Sequence, residues 1–252
     1  MVGRAAAVLS AARRAAFVAL AAVIGVYYGT HQHWFGLPLW PAIAFLAFLV
    51  IPAVFGLVYL ALPLWRLPPV RLLATAVGFI VVAVLLQLAG AGPVANFAKF
   101  GAMTFLAWAF LRFFEELSWV VLVAFIVPFV DSYSVWRGPT NTIVNKQPQV
   151  FDVLSFTFVV PGQTGGAKLG LPDLLFFSLY LGAAARWGLR VGWTWICLTA
   201  SIGATMALAT WWDVGGLPAL PLLSLGFLLP NADLLWRAVR GRSARDPRRA
   251  PT

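Results

Sequence analysis

The sequence predicts an all-α polytopic membrane protein, a bundle of about eight spanning helices with one small β element in its longest loop. Three observations predict it. The 252 residues are 62% hydrophobic and only 10% charged, far from the roughly 45–50% apolar and 25% charged usage of soluble domains. Apolar runs near the roughly 20 residues that cross a 30 Å hydrocarbon layer recur along almost the whole chain. These runs lack the period-2 alternation of barrel strands, and a segment in lipid must satisfy its own backbone polar groups, so they are helices.

The spans are expected at about 12–30, 39–63, 71–92, 96–112, 117–135, 171–187, 192–212 and 216–237. The first follows Arg4, Arg13 and Arg14 and superficially resembles a signal peptide, but it lacks a convincing small-residue cleavage site and is read as a retained helix. Tryptophans gather near the span ends (Trp34, Trp40, Trp65, Trp136, Trp187, Trp211), where amphipathic rings settle at headgroup level. Three regions follow: an N-terminal scaffold of about four helices over 1–112, a second half over 113–240 containing the loop 136–170, and a basic tail over 241–252.

A net charge of +10 suggests nucleic acid in a soluble protein. Here the arginines sit in short loops and the tail, which reports topology and anionic lipid; no nucleic-acid partner is expected. With the N-terminus inside and eight spans, Arg4, Arg13, Arg14, Arg66, Arg71, Arg112, Arg186, Arg190, Arg237, Arg240, Arg242, Arg245, Arg248 and Arg249 face the cytoplasm. That is 14 of the 18 basic residues, leaving Lys99, Arg137, Lys146 and Lys168 outside. Both termini are therefore expected in the cytoplasm and loop 136–170 outside it, in the cell membrane if the source is prokaryotic. Within that loop, 150–160 has β-branched and aromatic content closed by Pro161-Gly162, and is expected to be β-rich. Cys197, the only cysteine, excludes a disulfide framework or thiolate cluster.

Eight acidic residues occur: Glu115, Glu116, Asp131, Asp152, Asp173, Asp213, Asp233 and Asp246. A carboxylate inside a span costs several kcal/mol, so it is a functional candidate by default. Asp131 lies 14 residues along its helix from Leu117, and Asp173 lies 13 residues from Arg186 on the returning one. At 1.5 Å per residue both sit roughly 20 Å from the same face. Two carboxyls that meet at one depth share a proton and can run general acid–base chemistry on a water, with no metal or cofactor required. The structural alternative is that Asp173, after Pro172, caps a helix start while Asp131 faces a vestibule.

Three segments carry a resemblance. Gly166-Ala167-Lys168-Leu169-Gly170-Leu171-Pro172-Asp173 resembles the GxGD stretch of presenilins, Val130-Asp131-Ser132-Tyr133 resembles the YD segment, and Gly216-Leu217-Pro218-Ala219-Leu220-Pro221 resembles the PAL motif, all in the family's order. The chain thus resembles the presenilin and signal peptide peptidase family of intramembrane aspartyl proteases, in a prokaryotic type, over roughly residues 117–237. The resemblance implies catalytic Asp131 and Asp173, with Pro218, Ala219, Leu220, Lys168, Leu169, Gly170, Leu171, Pro172 and Tyr133 near the substrate. It implies a transmembrane-helix or signal-peptide substrate, no cofactor, and the orientation of signal peptide peptidases; no accessory subunit is evident. Family members have nine spans where eight are counted here. Val130 stands where tyrosine is usual, and Pro172 replaces the second glycine of GxGD. The β-rich loop or the Lys168-Leu169 stretch is expected to offer an edge to an unwound substrate. Rival readings are a catalytically weakened homologue, a transporter that uses both aspartates as a proton or cation relay, and a non-catalytic scaffold.

Of the other constellations, His31-Gln32-His33 is expected in an interfacial loop rather than at a metal. Glu115 and Glu116 are expected at a solvated boundary near Arg112, and Asp213 at the interface beside Trp211 and Trp212. Asp233 is expected to pair with a neighbouring helix or with Arg237.

Overall fold

In the computed structural model, residues 9–137, 148–214 and 216–243 are described. The long helices are α1 (Ala11–His33), α2 (Leu39–Arg66), α3 (Pro69–Leu88), α4 (Gly92–Phe113) and α5 (Leu117–Arg137). A short helix α6 (Pro148–Val153) and two strands, β1 (Ser155–Val159) and β2 (Gly166–Gly170), precede α7 (Leu171–Arg186) and α8 (Val191–Trp211). The chain ends in α9 (Leu220–Leu228), a 3₁₀ turn (Leu229–Asn231) and α10 (Ala232–Ser243). Among the described residues six helices, α1 to α5 and α8, are long and apolar enough to cross a membrane. The protein is thus a helical, multi-pass membrane protein in its chemistry. Residues 138–147 of the long loop lie outside the described residues.

Prolines set several boundaries. Pro52 cannot donate to the carbonyl four residues back, and α2 meets it with a π segment over Leu46–Val50. That widened turn faces α8, where Ala47 approaches Gly203 so closely that a Cβ on Gly203 would lie 3.0 Å from the alanine methyl. Pro69 and Pro93 open α3 and α4 in first-turn positions whose N–H a helix leaves unpaired. Gly90, at φ +75°, ends α3 earlier than hydropathy alone predicts.

Two expectations are revised. The segment 150–160 is not one strand: Pro148–Val153 is helical, with Leu154 N bonded to Val150 O, and only Ser155–Val159 is extended. The expected span 216–237 is broken: α9 begins only at Leu220, after Pro218 and with Pro221 in its first turn, and Pro230 falls in the 3₁₀ turn.

The hairpin is built into the bundle. Strands β1 and β2 are antiparallel, pairing Phe156 with Leu169 and Phe158 with Ala167. Phe156 and Phe158 are fully buried among Phe55, Phe97, Phe100 and Tyr28. The Phe55 ring lies 4.0 Å from that of Phe177 on α7. Trp108 of α4 seals the same core by donating to Ser178 O.

Candidate functional site

Asp131, on α5 three residues after the helix-internal Pro128, is partly buried. Its Oδ2 accepts the backbone N–H of Leu220 at 3.1 Å. Leu220 is the first residue of α9, and Ala219 is its N-cap. Free N–H groups and the helix dipole at that end favour a negative charge. Asp173, third residue of α7, accepts the backbone N–H of its own N-cap, Gly170, and stands within electrostatic range of Asp131. Each carboxyl thus accepts a backbone N–H at a helix start.

A side chain at position 170 would crowd the Asp173 carboxyl. A Cβ there would lie 3.2 Å from Asp173 Oδ2. Pro172 occupies the first turn of α7, where its missing N–H is one a helix would leave unpaired, so it costs α7 no hydrogen bond.

The Pro218-Ala219-Leu220 segment is buried and fixed on two sides. Ser201 Oγ of α8 donates to Leu222 O at 2.8 Å, and Tyr180 OH of α7 meets Ser224 Oγ at 3.1 Å. Gly226 allows close crossing of α8, since a Cβ there would lie 2.9 Å from Cys197 O. By contrast α5 packs on α9, buries Val120 and Ala124, and leaves much of its remaining surface exposed.

Of the residues expected near a substrate, Gly170 and Leu220 contact the carboxyls directly, and Leu171, Pro172, Pro218 and Ala219 adjoin them along the chain. Leu169 is buried inside the hairpin, and Leu171 N bonds Leu154 O. Lys168 forms an ion pair with Asp152. Tyr133 is not gathered in: two residues beyond Asp131, it lies 66% exposed on another face. Val130 is 60% exposed, so the phenol missing there is missing from the outer surface of α5.

Sequence reasoning overlooked what holds the hairpin. Lys99, placed with the outside charges above, is 8% exposed within α4. Its ammonium donates to Ser155 O (2.8 Å), Asp152 O (3.2 Å) and Val153 O (3.3 Å). Tyr28 OH donates to Thr157 O and Tyr27 OH to Val159 O. Ser155, Thr157 and Val159 alternate along β1, so three side chains occupy the whole carbonyl row of its outer edge. The rule applied to the aspartates, that a charge inside a span has a purpose, would have found Lys99.

The remaining candidates are structural. His31 Nδ1 donates to Tyr28 O, and His31 O accepts from Gly162 N at 2.7 Å. Gly162, at φ +69°, touches the Gly36 backbone and leaves no room for a side chain. Glu115 and Glu116 are exposed, while Arg112 donates to Trp65 O and Leu67 O. Asp213 is exposed beside Trp211 and Trp212. Asp233 pairs with Arg190, the N-cap of α8, in a two-pronged contact, so of the two expected partners it takes the neighbouring helix and not Arg237. Comparison with known proteins adds no assignment, since no protein-family model and no curated protein matches the chain.

Proposed function

We propose that the chain is an intramembrane aspartyl endopeptidase of the presenilin and signal peptide peptidase kind, acting on transmembrane helices through an Asp131/Asp173 dyad. The observation that carries this is the approach of the two carboxyls to within electrostatic range, with Asp131 held by Leu220 N–H at the start of α9. Two interacting carboxyls hold one proton between them. The ionised member takes a proton from a water attacking the scissile carbonyl; the protonated member donates to the carbonyl oxygen, and a proton then passes to the leaving nitrogen. The two carboxyls of this chain supply the acid and the base in that sequence.

A helical substrate hides its carbonyls, and unwinding it in lipid requires new backbone partners. The β2 edge offers them. Its outward positions Gly166, Lys168 and Gly170 are opposite the occupied row on β1, and the outward backbone of Lys168 bonds no other described backbone group. An unwound segment added there runs directly toward Asp173. With α7 and the broken α9 region counted as spans, the eight-span arrangement with cytoplasmic termini belongs to this reading.

A second reading has its own observation: a short half-helix whose N-terminus addresses a carboxylate also occurs in transporters. The two separate on ligand binding. A peptide analogue with a hydroxyl in place of the scissile carbonyl binds wild type and loses affinity by at least tenfold in Asp131→Ala and Asp173→Ala. Equal binding to all three, with dyad-dependent proton flux in vesicles, overturns the protease reading.

A further inference from the structure

The N-terminal half contains a slot that the dyad chemistry does not use. A cavity of about 260 Å³ lies between α1, α2, α3 and α4, walled by Phe17, Ala21 and Ile24, Val58, Phe79 and Phe100. Its one polar side chain is Thr104. That hydroxyl donates to Phe100 O at 2.9 Å and accepts from Ser178 Oγ at 3.3 Å. No group remains there for a polar ligand or a water, which needs two to four polar partners. An empty apolar void, in turn, forfeits the dispersion contacts of its walls.

The slot has a charged end. Arg13, Phe17, Ala21 and Ile24 follow the i, i+4, i+8, i+11 spacing of one helix face, so Arg13 stands one turn beyond Phe17. Its guanidinium donates one N–H to Tyr59 O at 3.0 Å and lies over the Tyr59 ring. The fork has five donors, and among the described residues Arg13 makes no ion pair. From Arg13 to Ile24 the helix rises about 16 Å at 1.5 Å per residue, a length suited to a fatty acyl chain.

We propose that this slot binds one anionic glycerophospholipid, its acyl chain among the phenylalanines and its phosphate on Arg13. The cation selects this occupant, because an uncharged hydrocarbon such as a sterol has no use for it, whereas phosphate matches a guanidinium fork. The site is independent of the proteolytic reading.

The test is native mass spectrometry of the full chain extracted in mild detergent, with thermal unfolding of each variant as a folding control. Wild type retains one phospholipid. Gly25→Leu and Ala21→Leu fill the slot and lose it; an added Cβ on Gly25 meets nothing within 4 Å, so the side chain enters there without a backbone clash. Arg13→Gln keeps the slot but retains anionic phospholipid at least tenfold less. Wild type without phospholipid, a retained sterol or detergent in its place, or folded Gly25→Leu with undiminished lipid overturns the proposal. Unchanged retention in Arg13→Gln removes the phosphate site.

Discussion

Substituting methionine for Lys99 keeps most of the stem but removes the ammonium that holds Ser155 O, Asp152 O and Val153 O at 2.8, 3.2 and 3.3 Å. A hydrogen bond from a charged donor contributes about 1.5–3 kcal/mol, and stranding a buried acceptor costs about as much. The three bonds do not add. Val153 is 47% exposed at the end of α6, so the α6 carbonyls can find other donors, whereas Ser155 is fully buried. Methionine also avoids the desolvation of a buried ammonium. One stranded acceptor less part of that relief leaves about 1.5–2 kcal/mol, acting on the hairpin alone. Local opening then rises roughly 10- to 30-fold. Hydrogen exchange in lipid nanodiscs reads this at the Phe156 and Phe158 amides, which the strand pairing protects. Protection within about twofold of wild type would refute the role given to Lys99.

Gly170→Ala presses a methyl on the Asp173 carboxyl and displaces it by a few tenths of an ångström; at about 0.5–1.5 kcal/mol for an off-rotamer side chain, kcat falls roughly 2- to 10-fold while Tm holds. Gly182→Ala places its Cβ 2.9 Å from Trp108 Cδ1 and 3.1 Å from Leu111. Overpacking of about 1–3 kcal/mol lowers Tm by several degrees in detergent. Asn231 is fully buried and bonds Thr194 Oγ1, Phe227 O and Arg190 N, so Asn231→Ala destabilises by about 2–4 kcal/mol. Asp233→Asn breaks an exposed ion pair with Arg190 and shifts Tm by less than a degree or two; the reverse ranking contradicts this account of the turn.

The aspartates were legible because lipid makes carboxylates expensive, which leaves few reasons for Asp131 and Asp173 to be where they are. Equal depth followed from a rise per residue, and the structure brings the two into electrostatic range. The long helices were legible for the same reason, with ends shifted where Gly90 stopped α3 and a 3₁₀ stretch over Leu62–Arg66 prolonged α2. What escaped was nonlocal. No periodicity shows that Lys99, Tyr27 and Tyr28, from two distant helices, line up on alternate carbonyls of one strand. A short helix over Pro148–Val153 was hidden by β-rich composition, because α6 is stabilised at its C-terminal end by Lys99 rather than by its own residues. For Asp233 the neighbouring helix was among the expected partners, but Arg190 itself could not be named because it is 43 residues away in sequence.

The central claim is hydrolysis of a peptide bond inside the membrane by Asp131 and Asp173 together. Its most direct test reconstitutes the full chain in proteoliposomes with a single-span helical substrate and reads the products by mass spectrometry, wild type beside Asp173→Asn. The account predicts two fragments meeting at a bond within the substrate's span for wild type, and none for a folded Asp173→Asn. Intact substrate with wild type, or the same fragments from Asp173→Asn, contradicts it.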